Sequence, residues 1–297
     1  KRGHYMSVSK VKTTIVKQKI RNPILNVLAH VYAYVLFLIY VIPVALVILF
    51  SFTDASTIAS KHLTISSFTL ENYISVFKKA SSYKPFIVSI AYSAIAAFVV
   101  AIIVLVACRI LQKRNDRLSG ALEYGLLIPW LLPTTLMALG LITTYNTPRI
   151  WMFNKVLTGT SVIMLIGYIV IKIPFTLRMT KAAFFSLDDS LEDAARNMGA
   201  KPFYTFMRVQ LPIIMPTVLA IFALNFNGLL GDYDMSVFMY HPLNKPLGVY
   251  IKSLTDSETN ADNAALTFVY AVLMMAISAL VMYLVYGRGN KLDNKKD

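Results

Sequence analysis

A single cysteine, Cys108, in 297 residues excludes an intrachain disulfide, and no Cys/His cluster stands at metal-ligand spacing. The four histidines, His4, His30, His62 and His241, are too scattered to form a paired catalytic site. No Gly-x-x-x-x-Gly-Lys-Ser/Thr segment is present, so the chain has no phosphate-cradling loop for ATP. Charge is also scarce: Asp, Glu, Lys and Arg make up 15% of the residues, against about a quarter in ordinary soluble domains. Acids are the scarcer sign, 15 against 29 Lys and Arg. An excess of +14 would suit nucleic acid if it lay on one folded face, but here the basic residues fall between long apolar blocks. There is no internal repeat. The first residues, Lys1-Arg2-Gly3-His4-Tyr5, are basic and lead to no short apolar region with a cleavage site. They lack an initiating Met, as expected if leading residues are missing or the chain is a segment of a longer polypeptide.

What the chain has is hydrophobic length. With 57% apolar residues, it holds six runs long enough to cross a bilayer, roughly 29–52, 86–110, 121–144, 160–179, 213–231 and 264–286. The expected class is an all-α integral membrane protein of about six transmembrane helices. Its tails are 1–28 and 287–297, and its transmembrane domain is 29–286. Lys172 and Pro174 interrupt the fourth run, and Lys172 is expected to snorkel to the cytoplasmic surface. Glu123 marks the start of the third. Pro129, Pro133 and Pro174 either kink helices to expose carbonyls or serve packing alone.

Lys and Arg are retained on the cytoplasmic side of short loops. Twenty-one of the 29 lie in four segments, Lys1 to Arg21, Arg109 to Arg117, Lys172 to Arg208 and beyond Gly287. That asymmetry places both termini in the cytoplasm. The outer segments are then 53–85, 145–159 and 232–263, the first and last long enough for small helices or lids. Trp130 and Trp151 lie near the proposed interfaces.

The segment between the fourth and fifth runs, 186–212, reads as two short helices joined by a sharp turn. Ser190 and Asp193 have the spacing of a capping box, and acids suit a helix N-terminus. Leu191, Ala194, Ala195 and Met198 fall on one face, Gly199 ends the helix in a left-handed conformation, and Pro202 starts the next. Leu211-Pro212 stops that second helix. A mere connector needs only a few residues, so about 25 patterned residues here call for a partner.

This segment resembles the EAA loop of ABC importer permeases. That pattern is Glu-Ala-Ala, three residues, Gly, nine residues, an aliphatic residue, any residue, then Leu-Pro. Asp193-Ala194-Ala195, Gly199, Val209 and Leu211-Pro212 keep every spacing. Asp193 replaces the first Glu while Glu192 precedes it, leaving open which acid makes the family's contact and whether the two acids only cap the helix. The resemblance implies a type I importer permease fold over most of 29–286, with the loop docked into a cleft of an ATPase subunit. It implies a transport subunit that is not itself an enzyme, binds no cofactor or metal, and leaves ATP and Mg to two ABC ATPase subunits. The implied partners include a second permease half, identical, paralogous or fused, and an extracytoplasmic substrate-binding protein, in a bacterial inner membrane. Asn225 and Asn227 in the fifth span, with Asp232 and Asp234 at its outer end, line either the substrate pathway or helix contacts and a solvated loop. The spelling of the loop, with Gly231-Asp-Tyr-Asp and Pro246-Leu-Gly-Val-Tyr, resembles ferric iron permeases most, with polyamine, phosphonate or sugar as alternative cargo. An ion-coupled secondary transporter would need acid or His relays in several spans, and none stands out.

Overall fold

The computed structural model describes residues 22–60, 64–114, 116–148, 150, 154–256 and 261–293. Among the described residues the regular structure is helical, with one isolated bridge between Thr53 and Phe68. In chain order, α1 (Pro23–Ser51) is followed by the short α2 (Ala55–Ser60) and α3 (Glu71–Lys78), then by the long α4 (Ala80–Lys113). Next come α5 (Arg117–Leu127), α6 (Thr134–Tyr145) and the long α7 (Ser161–Phe185), then α8 (Ser190–Asn197) and α9 (Pro202–Thr205). The last four are α10 (Leu211–Leu230), α11 (Ser236–Met239), α12 (Leu247–Asp256) and α13 (Ala261–Asp293). The chain divides after Leu46 into two units, and the second, Val47–Asp297, holds the buried core.

Five helical stretches are long and apolar enough to cross a membrane: α1, α4, α7, Pro202–Leu230 and the greater part of α13. The third expected span, 121–144, is instead a bent pair, with Arg117–Leu131 and Thr134–Tyr145 meeting at 111°. The cause is local. Pro129 and Pro133 remove two amides, and Leu132, just before Pro133, is extended at φ −108 and ψ 139. The outer segments carry short helices, as expected, and α1 and α13 run into the stretches expected to be tails. Residues 1–21 and 294–297 of those tails, with Trp151, lie outside the described residues.

Leu211-Pro212 does not stop a helix. Helical structure continues from Pro202 to Leu230 through a π-helical turn, Phe206–Gln210. In a regular α-helix the ring of Pro212 would press on the carbonyl four residues back. The wider π turn lies directly before it and lets the chain enter α10 unbroken.

The core is α4, α7 and α10 packed together, with small residues at the close approaches as helix association in lipid requires. Near the 186–212 segment, Val100, Val104, Ala107 and Cys108 meet Leu177, Phe184, Ile214 and Val218. Toward the other end, Ala96 and Ala138 pack with Ile163, Tyr168, Leu229 and the methionines 235 and 239. Gly167 admits those methionines; a Cβ there would lie 2.7 Å from Met239 Cε.

At that other end the segment after α10 is pinned across the bundle. The buried amide of Leu247 donates to Ser89 Oγ at 2.8 Å, and Asn244 Nδ2 donates to Ser161 Oγ at 3.0 Å. The Tyr270 hydroxyl donates to the Ser82 carbonyl at 3.0 Å. Gly248 brings the start of α12 against the chain leaving α10. A Cβ at Gly248 would overlap the Asp232 carbonyl oxygen and lie 2.7 Å from that of Gly231. Both neighbours are backbone and cannot rotate away. Gly248→Ala is therefore expected to lower stability by about 1–3 kcal/mol, read as thermal unfolding of the purified protein in detergent. Gly120→Ala, in α5 with nothing within 4 Å of an added Cβ, is expected to be neutral or slightly stabilising.

Candidate functional site

The 186–212 segment folds as a small knob whose base is tied to the bundle. Just before α8, Asp188 Oδ1 accepts the Ser190 amide at 2.9 Å. Ser190 makes no side-chain cap, because α8 begins at Ser190 itself and the capping position falls one residue earlier. That bond holds the Asp188 carboxyl below its ordinary pKa. At the far end the Ala200 amide reaches back to the Ala195 carbonyl at 3.0 Å, and Gly199 has φ +81, as its position predicts. This is a Schellman-type end, in which a side chain at Gly199 would be strained.

The two adjacent acids have different surroundings. Glu192 turns inward. Arg109 at the end of α4 donates to both its oxygens, at 3.2 and 3.3 Å, and Gln210 Nε2 donates to Oε2 at 2.9 Å. Arg109 also donates to Gln112 Oε1 and lies over the Phe206 ring, 5.7 Å from its centroid, which stacks in turn on Phe184. The Arg109 hydrogen bonds hold the Glu192 carboxyl below the usual glutamate range, against the opposing effect of partial burial. Asp193 turns outward and is exposed, its nearest charge Arg196 at 3.7 Å. An open cleft of about 530 Å³ lies here, lined by Arg109, Lys113, Asp189, Glu192, Asp193 and Arg196.

Of the expected apolar face, only Ala195 is buried, at 4% exposure, and it packs inward. Leu191, Ala194 and Met198 remain open, Met198 at 82%, and Phe203 at 75% extends the patch with Tyr204 and Met207. Val209 and Leu211 are half-buried and Pro212 is exposed. The sequence pattern found the helix and the turn but not Arg109 and Gln210. Arg109 lies 83 residues from Glu192 in the chain, and no local periodicity links them.

Of the expected pathway residues, Asn225 lies at the seam between α7 and α10, while Asp232 and Asp234 follow the end of α10. Asn225, at 1% exposure, donates to Thr176 Oγ1 at 2.7 Å, and Thr176 donates to the Lys172 carbonyl. Asn225 is thus engaged in a helix-to-helix contact. Asn227 Oδ1 is buried with no hydrogen-bond partner among the described residues. Asp232 accepts the Ser236 amide at 3.0 Å and turns the chain into α11, while Asp234 is exposed in that turn.

Lys172 does not reach the side of the 186–212 segment, contrary to expectation. Its Nζ lies 2.9 Å from where a Cβ on Gly228 would stand, about 25 Å along α10 from Leu211 at 1.5 Å per residue. The side chain crosses to α10 at a glycine, where the helix surface admits it. Glu123 instead pairs with Lys181 at 2.5 Å. Among the described residues no group of three His, Cys, Asp or Glu side chains is placed to hold a metal ion.

Comparison with known proteins gives these features a family. "Probable ABC transporter permease protein y4fN" of Sinorhizobium fredii is 38% identical over 283 residues, 95% of this chain and 49% of the relative. The chain thus spans about half the length of that relative. "Putative 2-aminoethylphosphonate transport system permease protein PhnV" of Salmonella typhimurium is 25% identical, covering 90% of this chain and 96% of its own. The fold matches a bacterial ABC transporter involved in the import of the acidic polysaccharide alginate, with a TM-score of 0.69 at 17% identity over 88% of this chain and 95% of that one. The helical fold is therefore that of an ABC importer permease. The profile described as "Binding-protein-dependent transport system inner membrane component" matches residues 102–288, and the chain belongs to that family.

Proposed function

We propose that this chain is the permease subunit of an ATP-driven, binding-protein-dependent importer, and that the knob from α8 to the π turn is where a separate ATPase subunit acts. The observation that carries this reading is the pairing of an open apolar surface with a charged, hydrogen-bonded base. Leu191 and Met198 at α8, with Phe203, Tyr204 and Met207 at the start of the Pro202–Leu230 stretch, stay exposed. Patches of this kind on an ordered element suit a protein partner. Asp193, Ala194 and Gly199 belong to the docking face, while Glu192, Ala195 and Val209 hold its shape from within.

The working assembly has two ATPase subunits that bind ATP and Mg, an extracytoplasmic binding protein, and a second permease half. The length of y4fN supports a fused or closely paired arrangement. The knob lies in the cytoplasm with both termini, in a bacterial inner membrane. The bias of basic residues supports that orientation even with Lys172 removed from the cytoplasmic count. Closure of the ATPases presses on paired knobs, and the permease halves rock between inward-open and outward-open states. This chain supplies no catalytic residue.

For cargo, no finding supports ferric iron. PhnV, aligned over nearly its whole length and named for 2-aminoethylphosphonate, supports a small phosphonate-type oxyanion, and that is the cargo we propose.

Replacing both Met198 and Phe203 by Asp is expected to lower retention of the ATPase subunit on the affinity-purified permease about tenfold or more, with membrane insertion unchanged. Retention at the wild-type level would overturn the assignment of the knob.

Glu192→Gln keeps the shape of the side chain but weakens its bonds to Arg109, and is expected to cost about 1–3 kcal/mol at neutral pH. The sign with pH follows from linkage. A carboxyl held below its ordinary value of 4.5 contributes fully above that value and loses its contribution as pH falls through the folded-state value. Melting temperatures of wild type and variant in detergent should therefore differ at pH 7 and draw together as pH falls below 4.5 and through the lowered folded-state value.

A further inference from the structure

The long helices carry one charge the knob does not explain. Lys172 lies mid-way along α7, part-buried, with its ammonium against Gly228 of α10. Among the described residues it has no hydrogen bond or ion pair; the acid that acts on it electrostatically is Asp232. Asp232 is itself committed to the Ser236 amide, one helical step nearer the end of the bundle. A cation at such depth is costly and persists where it faces a cavity or a ligand.

Its neighbourhood is polar on both helices. Asn227 Oδ1, in the residue preceding Gly228, is buried and unpartnered. Thr176 and Asn225 close the seam on the knob side, bonded to each other at 2.7 Å. Tyr168, one turn before Lys172 on α7, is buried toward the other end. Gly228 is exposed, so the ammonium sits in an open notch on the surface of α10. A side chain at 228 would fill that notch.

We propose that the Lys172 ammonium, seated in the Gly228 notch, is a cargo-contacting group of the pathway and selects a tetrahedral oxyanion. The inference deepens the importer reading and rests on it. An ammonium is a point charge with three rotatable donors, suited to phosphonate or sulfate oxygens in more than one orientation as the cargo moves past. The site requires partial exposure, freedom from a close carboxylate and room at the helix surface, and Lys172 meets all three.

The test uses the complete transporter, with its ATPase and binding proteins, in proteoliposomes. Uptake of labelled 2-aminoethylphosphonate, sulfate, maltose and spermidine is measured per assembled complex. ATP-dependent uptake of one or both oxyanions is expected, and which one is taken up separates phosphonate from sulfate. Lys172→Met should lower that uptake about tenfold or more, Lys172→Arg should retain most of it, and Gly228→Ala should lower it by displacing the ammonium. Replacing a lysine in an apolar span by Met is not expected to impair folding, and Gly228→Ala provides an independent check. Transport of maltose or spermidine in place of the oxyanions, or wild-type uptake by Lys172→Met, would overturn the proposal and leave the importer reading standing. Loss of the permease pair in Lys172→Met with unchanged uptake per assembled complex would also overturn it, as the lysine would then be an assembly contact. If no solute enters in an ATP-dependent way and no ATPase subunit is retained, the importer reading fails and this inference with it.

Discussion

In hydrocarbon every polar group must find its partner inside the protein, and the structure follows from how that demand is met. The backbone meets it with long helices, even where Pro85, Pro174 and Pro216 remove amides from α4, α7 and α10. Side chains meet it across helices, as Asn225 does by donating to Thr176, and Ser89 by accepting the backbone amide of Leu247. Pairs of this kind contribute about 0.6 kcal/mol each on average in membrane proteins, so packing of small residues supplies most of the cohesion. Left over after this pairing are the Lys172 ammonium beside Gly228 and the buried Asn227 carbonyl oxygen.

The knob is joined to the bundle so that a displacement of one becomes a displacement of the other. Arg109 ends α4, Glu192 lies in α8, and Gln210 immediately precedes α10; one carboxylate holds all three. Phe206 adds a face-to-face contact with Phe184 on α7. Force applied to α8 therefore reaches α4, α7 and α10 together. Those three helices form the core, whose close packing resists deformation. The π turn at 206–210 lies where this movement enters α10, and Gln210 Oε1 is buried there without a partner. A turn with an unsatisfied acceptor and wide geometry has less to lose on changing shape than the regular helix after it.

How much of this was legible depends on whether the signal was local. The long helices could be read because a bilayer demands about twenty apolar residues in succession, and the left-handed Gly199 because a glycine after an amphipathic turn has few other roles. The bend in the third span was half legible: Pro129 and Pro133 mark a kink, but 111° depends on two prolines acting through an extended Leu132. The same rule misleads at Leu211-Pro212, where a proline near a helix start reads as a stop; only the preceding π turn shows how the helix passes it. A cap at Ser190 falls one residue late, since Asp189 is the residue before α8 and the Asp188 carboxylate takes the Ser190 amide.

The two acids and the lysine show why site roles were harder to read than folds. Glu192 and Asp193 are adjacent in sequence, and on a helix adjacent residues point about 100° apart, so one must face the bundle if the other faces solvent. Their composition could not say which. Arg109, distant in sequence but placed by α4 beside the knob, resolves it by taking Glu192. That leaves Asp193 exposed, with Arg196 at 3.7 Å. Lys172 follows the same logic in reverse. Snorkelling assumes that a lysine stem lies along its own helix toward the nearer interface. A glycine on the neighbouring helix offers a shorter way out of lipid, across rather than along, and Gly228 lies at that crossing.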